Sequence, residues 1–332
     1  MPARIHPPTP RRLQRLAGVL RRGGLVAIPT ETVYGLAGHA LDVRACRRIF
    51  AVKRRPADDP LIVHVAGLAA AEKLAVFNAA ARVLARHFWP GPLTLVLPRR
   101  AVVPDIVTSG QSTVALRAPA HPVARRLLRA AKIPLAAPSA NLFGYISPTT
   151  ADHVAAGLGK RIGHILDGGP CAVGVESTIV DVSDPARLRI LRPGALAARE
   201  LLAVLRRAGV RARFAQRPAA RRVLAPGLLD QHYSPHTPLR LVPRVSRAAM
   251  ADPAVGVILR RKPAGRTASH VFWLSARGDM RESARRLYAT LRRADAGGFR
   301  AIVVERCRAT AGDALAAAIN DRLTRAAGKR RR

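Results

Sequence analysis

Apolar and polar positions along this chain follow two different periods, and the periods alternate often enough to predict an α/β protein. Leu13, Leu16, Ala17 and Leu20 recur at i, i+3, i+4 and i+7, which predicts an amphipathic helix over 11–22, closed by Gly23-Gly24. The apolar run 25–28 stops at Pro29 and reads as a short strand. Runs at 61–65, 93–97, 113–116, 133–136, 178–182 and 188–191 predict further strands. Between them, 69–87, 121–131 and 197–208 carry the 3.6-residue spacing of helices. Strands interleaved with helices indicate an α/β domain on a twisted, mixed sheet with flanking helices.

From 206 to 222 the pattern dissolves into Arg, Ala, Gln and Pro, the composition of a linker. The segment 225–238 is too polar and Pro-rich for a sheet, yet it carries His232 and Tyr233. Strands at 255–259, 271–274 and 301–304, with helices at 280–293 and 313–326, then predict a second, smaller α/β unit. Two domains also suit a chain of 332 residues. The expected bounds are 10–208, a bridge at 209–238, and 239–328.

Composition narrows the class. Hydrophobic residues make up 49% of the chain, enough to bury a core and to exclude a disordered protein. No apolar run approaches the roughly 20 residues of a membrane span, and the first ten residues lack the apolar stretch of a secretory signal. A cytoplasmic protein without membrane partners is expected. Cys46, Cys171 and Cys307 are too far apart for a local metal knuckle, and an odd number argues against a disulfide framework.

The net charge of +37 invites a nucleic-acid reading. However, 51 of the 57 basic residues are Arg, spread over both halves of the chain. Such a field attracts polyanions such as RNA. Yet no helix-turn-helix, zinc finger or aromatic RNP pattern accompanies it, and aromatics are only 4%.

The familiar phosphate loops, zinc motifs and serine-hydrolase elbow are absent. What remains are polar residues at strand ends and turns. Thr30 and Thr32 follow the strand tip at Pro29, where α/β proteins bind ligands, or they cap a helix. Lys53 and Arg55 supply a point charge and a planar fork suited to phosphate, or a solvated face. His64 is a candidate ligand or a satisfied core histidine. Ser139 and Asn141, after an apolar run, offer short hydrogen bonds or form a turn. Ser177 opens one strand, and Arg192 ends another before a Pro-Gly turn.

In order and spacing these segments resemble one family, the threonylcarbamoyl-adenylate synthases, whose catalytic part is the YrdC-like domain. The stretches that carry the resemblance begin with Ile28-Pro-Thr-Glu-Thr-Val-Tyr-Gly-Leu36, Lys53-x-Arg55-Pro56, Pro60-Leu-Ile-Val-His64 and Trp89-Pro-Gly-Pro-Leu-Thr94. Leu116-Arg-Ala-Pro-Ala-His-Pro122, Pro138-Ser-Ala-Asn141, Glu176-Ser-Thr-Ile-Val-Asp181 and Leu191-Arg-Pro-Gly194 follow. His232-Tyr-Ser-Pro235 and the second unit look like the long, two-domain form, with a Rossmann-like C-terminal domain.

The resemblance implies an enzyme that joins L-threonine, bicarbonate and ATP into threonylcarbamoyl-AMP and pyrophosphate, for N6-threonylcarbamoyl modification of a tRNA adenosine. Carried over residue by residue, Thr32, His64, Arg117, Ala137 and Ser177 would hold threonine. Arg55, Asp59, Thr113, Ser139, Ser147, Arg192 and Tyr233 would surround ATP. Lys53, Arg55, Ser139 and Asn141 form the signature set, expected to act in catalysis. Mg²⁺ would arrive with ATP, with no protein ligand of its own, and the bridge around Tyr233 would serve as a lid. Expected partners are the threonylcarbamoyl-transfer machinery and, through the basic surface, tRNA. Two residues depart from the family pattern: Arg54 where a small residue is frequent, and Asp59 where an amide or base is usual. The competing expectation is a non-catalytic double-stranded RNA or tRNA binder of the same fold. A carbamoyl-adenylate-forming domain of the hydrogenase-maturation kind is disfavoured, because this chain lacks the accompanying acylphosphatase-like unit and cysteine clusters.

Overall fold

In a computed structural model, residues 2–215, 232–308 and 312–328 are described. Most of the bridge, 216–231, therefore lies outside the described residues, and with it most of the segment expected to act as a lid.

The chain opens with β1 (Arg4–His6), α1 (Pro10–Arg21), β2 (Val26–Ile28) and β3 (Gly35–His39). It continues through α2 (Val43–Lys53), β4 (Ile62–His64), α3 (Leu68–Ala71), α4 (Ala79–Phe88), β5 (Leu93–Pro98) and α5 (Asp105–Thr108). Next come β6 (Thr113–Arg117), α6 (Pro122–Ala131), β7 (Leu135–Ala136), α7 (Ala151–Leu158) and β8 (His164–Leu166). The unit closes with β9 (Thr178–Asp181), β10 (Arg187–Arg192), α8 (Ala198–Arg207) and β11 (Arg213–Phe214).

These eleven strands form one mixed sheet in the order β1-β8-β2-β3-β7-β4-β6-β5-β9-β10-β11. The sheet thus takes in β1 and β11, which lie outside the expected bounds of 10–208. On its faces, Leu13, Leu16 and Leu20 of α1 interdigitate with Leu127 and Leu128 of α6 over Val26, Ile28 and Leu135. Ile49 of α2, Leu84 of α4 and Leu201 of α8 pack over Leu93, Leu95 and Leu116.

The expected helix over 69–87 is two helices. Asn78 breaks it, because its side chain accepts the N–H of Ala81 at 2.9 Å and caps α4. Helix α2 and strand β3 were not anticipated. In α2 the buried positions are Ala45, Cys46, Ile49 and Lys53, too small or too polar to register as an apolar stripe. Asp42 starts it by accepting the N–H of Arg44 at 2.8 Å.

The second unit contains β12 (Leu239–Val242), α9 (Arg247–Ala251), β13 (Val255–Arg261), β14 (Val271–Ser275), α10 (Met280–Asp295), β15 (Ala301–Glu305) and α11 (Ala314–Ala326). Its four strands are all parallel, in the order β12-β15-β13-β14. Their buried positions pack against Leu287 and Leu291 of α10 and Ile319 and Leu323 of α11. The same cluster includes Val33, Ile146, Val175 and Tyr233, so its apolar core continues into the first unit and the bridge. The units also meet backbone to backbone. Gly174 has φ +80°, and a Cβ there would lie 2.3 Å from Cα of Arg285. No helix among the described residues is long and apolar enough to cross a membrane.

Candidate active site

The cleft wall is assembled from strand ends that lie far apart in sequence. Thr30, Thr32 and Gly35 come from the β2–β3 connection, Ile62 and His64 from β4, and Arg117 from the end of β6. Ala137 and Ser139 follow β7, Glu176 precedes β9, and Arg192 ends β10; His232 and Tyr233 of the bridge close the wall. The cleft holds a cavity of about 40 Å³, room for a few waters.

At one end, Arg117 is held on three sides. Its Nε and two terminal nitrogens reach the Gly91 carbonyl at 3.3 Å, Thr32 Oγ1 at 2.8 Å and Glu31 Oε1 at 2.7 Å. Thr32 is in turn set by Thr30, whose hydroxyl lies 2.9 Å away and donates to the Val33 carbonyl at 2.6 Å. Burial works against the Glu31 charge, but the Arg117 guanidinium holds its carboxyl below the usual range. A guanidinium has five N–H donors; two are spent on Gly91 and Thr32 and the Glu31 contact is an ion pair, which leaves donors on the terminal nitrogens for a ligand carboxylate. Burial, reinforced by Arg117, pushes His64 down to about 3, so the ring is neutral near pH 7.

At the other end stand two buried guanidinium groups. Arg55 donates to the Asp59 and Pro60 carbonyls at 2.9 and 2.8 Å and pairs with the Asp59 carboxylate at 2.8 Å. Burial pushes the Asp59 carboxyl up, against the pull of Arg55 and Lys53. Arg192 donates to the Ser177 carbonyl at 3.2 Å and its hydroxyl at 3.1 Å. The Pro-Gly turn after it presses close to that strand: a Cβ on Gly194 would lie 2.2 Å from the Thr178 nitrogen.

The expected site residues divide into two groups. Thr32, Arg55, His64, Arg117, Ala137, Ser139, Arg192 and Tyr233 meet at the wall. Behind it stand Lys53, Asp59, Asn141, Ser147 and Ser177. The Lys53 ammonium donates to the carbonyls of Ser139 and Asn141 at 2.5 and 2.6 Å, tying that loop to the end of α2. Burial, helped by Arg55, lowers its proton affinity well below that of an ordinary lysine. Asn141 donates to the carbonyls of Leu142 and Tyr145 and fixes the same loop. Ser147 donates to Glu176 at 2.7 Å, and the Ser177 hydroxyl lies 2.8 Å from that of Thr94. Thr113 starts β6, some 13 Å of strand away from Arg117 at the strand's other end. It lies outside the wall. Asp59 backs Arg55 and is not among the residues of the wall.

Sequence reasoning left Glu31, Glu176 and His232 without roles. For the two glutamates the signal was scarcity: with 20 acidic residues against 57 basic ones, a carboxylate inside a motif finds a cationic partner by simple pairing. Among the described residues no group of three His, Cys, Asp or Glu is arranged to hold a metal ion.

Comparison with known proteins gives matches along both units. A family model covering Sua5, YciO and YrdC, described as "Telomere recombination", matches residues 18–194. A second, "Threonylcarbamoyl-AMP synthase, C-terminal domain", matches 196–328. The threonylcarbamoyl-AMP synthase of Pyrococcus abyssi is 40% identical over 95% of this chain and 93% of its own length. That of Bacillus subtilis is 38% identical over 96% and 93%. The crystal structure of P. abyssi Sua5 complexed with L-threonine superposes with a TM-score of 0.86 and 37% identity, over 98% of both chains. Together with the cleft, these matches across both units establish that the chain belongs to the threonylcarbamoyl-AMP synthases, in their two-domain form.

Proposed function

We propose that the cleft binds L-threonine at its Arg117 end and the ATP phosphates at its Arg55–Arg192 end, and joins them through bicarbonate. The threonine amine attacks bicarbonate with loss of water, giving a carbamate. A carbamate oxygen then attacks the α-phosphorus, and the bond to pyrophosphate breaks. The products are threonylcarbamoyl-AMP, pyrophosphate and water. One observation carries the orientation: Arg117 is locked by Thr32 and Glu31 beside a neutral His64, with donors to spare. That is a carboxylate receptor with a hydrogen-bond acceptor for the amine or hydroxyl next to it. A 37%-identical relative crystallised with L-threonine supports threonine as the ligand.

Charge builds on phosphate oxygens as pyrophosphate departs, and Arg55 and Arg192 are fixed before the substrate arrives. Ser139 offers a hydroxyl at the same wall, while Lys53 and Asn141 act by holding its loop. Among the described residues, Glu31 and Glu176 at the wall and Asp59 behind it are each paired with an arginine, so none of these three carboxylates stands ready to hold a metal or serve as a base. Mg²⁺ would enter as part of the ATP substrate, held by its phosphates and water. Positioning and exclusion of water carry the remaining burden, since carbamates are short-lived in water. The mixed anhydride product would pass to an enzyme that transfers the threonylcarbamoyl group to tRNA. Incubation with ¹³C-bicarbonate tests the reading: the adenylate product should gain one mass unit, and an unlabelled adenylate would refute the carbamate step.

A further inference from the structure

Glu176 lines the cleft, yet two of the three side chains that bind its carboxylate come from the C-terminal unit. Ser147 donates to Oε1 at 2.7 Å. Tyr288 of α10 donates to Oε2 at 2.8 Å, and Arg322 of α11 donates to the same oxygen through Nε at 2.9 Å. Arg322 is fully buried, and its guanidinium lies over the Tyr233 ring, 5.4 Å from the centroid. Tyr233 stacks in turn on Tyr288, with centroids 5.8 Å apart. The same helix takes the His232 N–H on the Arg325 carbonyl at 3.4 Å. Helix α11 thus touches three residues of the cleft wall: Glu176, His232 and Tyr233.

Burying a guanidinium costs several kcal/mol that pairing only offsets, so simple packing of the two units would be served as well by an apolar side chain. We propose that Arg322 is a positioning residue for the ATP end of the cleft, holding the Glu176 carboxylate toward the C-terminal unit and away from Arg192. Arg192 then stays on Ser177, presented to phosphate. This rests on the assignment of Arg192 to ATP made above.

The electrostatics point the same way. Burial pushes the Glu176 carboxyl up, but Arg322 first and Arg192 second hold it down at about 2. Without Arg322, a buried carboxylate is left with Arg192 as its principal cation, and it draws that side chain off Ser177. The C-terminal unit accordingly completes the active site through one buried ion pair.

The test is steady-state pyrophosphate release with ATP and threonine varied in turn. Arg322→Met should raise the KM for ATP at least tenfold while the KM for threonine stays within threefold. Removing both charges, in Glu176→Gln/Arg322→Met, should restore most of the ATP KM, because a neutral amide does not capture Arg192. Arg322→Lys should fall between wild type and Arg322→Met, and with the double variant it carries the comparison if Arg322→Met fails to fold. Equal rises in both KM values, a loss confined to melting temperature or folded fraction, or a double variant as impaired as the single one would overturn the proposal. A wild type that releases no pyrophosphate would remove the functional reading and this one with it. An active wild type whose variants show no ATP-specific change removes only this one.

Discussion

Replacing Arg117 by lysine keeps the charge and removes the fork, which makes it a sharp probe of the threonine end. The side chain is 4% exposed and already binds Gly91, Thr32 and Glu31. Two of its five donors are spent in hydrogen bonds and the Glu31 contact is an ion pair, so donors remain for a carboxylate. A lysine ammonium has three donors in total and cannot serve Thr32, Glu31 and a bidentate ligand at once. Hydrogen bonds involving charged groups contribute about 1.5–3 kcal/mol each. Loss of one ligand bond, with a looser fit of the other, is worth about 2–3 kcal/mol. At about 1.4 kcal/mol per tenfold, the KM for threonine should rise about 30- to 150-fold. The KM for ATP should move less than threefold, because Arg55 and Arg192 are untouched. Initial rates of pyrophosphate release, at saturating ATP and bicarbonate with threonine varied, give the number. A threonine KM within twofold of wild type, in a variant that melts normally, would refute the carboxylate assignment.

Other expectations follow from the same geometry. Lys53→Ala leaves the carbonyls of Ser139 and Asn141 without their buried donor, which costs about 1–3 kcal/mol per unmet group. It should therefore lower the denaturant midpoint as well as activity, and a loss of activity alone would mean that the amine acts on substrate. Arg54 sits in the left-handed region at φ +53° with an exposed side chain, a conformation that costs a residue with a Cβ about 1–2 kcal/mol. Arg54→Gly should thus leave activity intact and change unfolding free energy by less than about 1 kcal/mol, after the larger unfolded-state entropy of glycine is counted; a loss of ATP binding would give Arg54 a substrate role. His64 and His232 are each pushed by burial to about 3, below the ordinary histidine value near 6.5. Between those values the unfolded chain binds protons that the folded chain does not, so stability is complete above about pH 6.5 and falls as the pH drops toward 3. Over pH 4–6, His64→Gln should reduce the slope of unfolding free energy against pH by up to one proton, and an unchanged slope would contradict the buried, neutral ring.

Much of this architecture was legible because its signals are local. Strand β5 and helices α1, α6 and α10 carry dense large apolar residues at the correct period. Strand β3 was not legible, because its sequence is Gly-Leu-Ala-Gly-His and the glycines answer to neighbours. A Cβ on Gly38 would meet Leu25 at 2.9 Å and Ile49 at 3.1 Å. The residues at the cleft wall were readable as a family pattern, but their pairing was not. That Glu31 would brace Arg117, or Asp59 would brace Arg55, depends on which strand ends the sheet brings together. Arg322 was the least visible of all. It is one arginine among 51, separated from its partner Glu176 by 146 residues, and only the docking of α11 distinguishes it.

The most direct measurement of the central claim is pyrophosphate release from purified protein, with ATP, L-threonine and bicarbonate each left out in turn. Release that requires all three, and that falls sharply in Arg55→Ala and Arg192→Ala, is the predicted result. Release that persists without threonine or without bicarbonate, or folded protein that binds ATP and releases nothing, would contradict it.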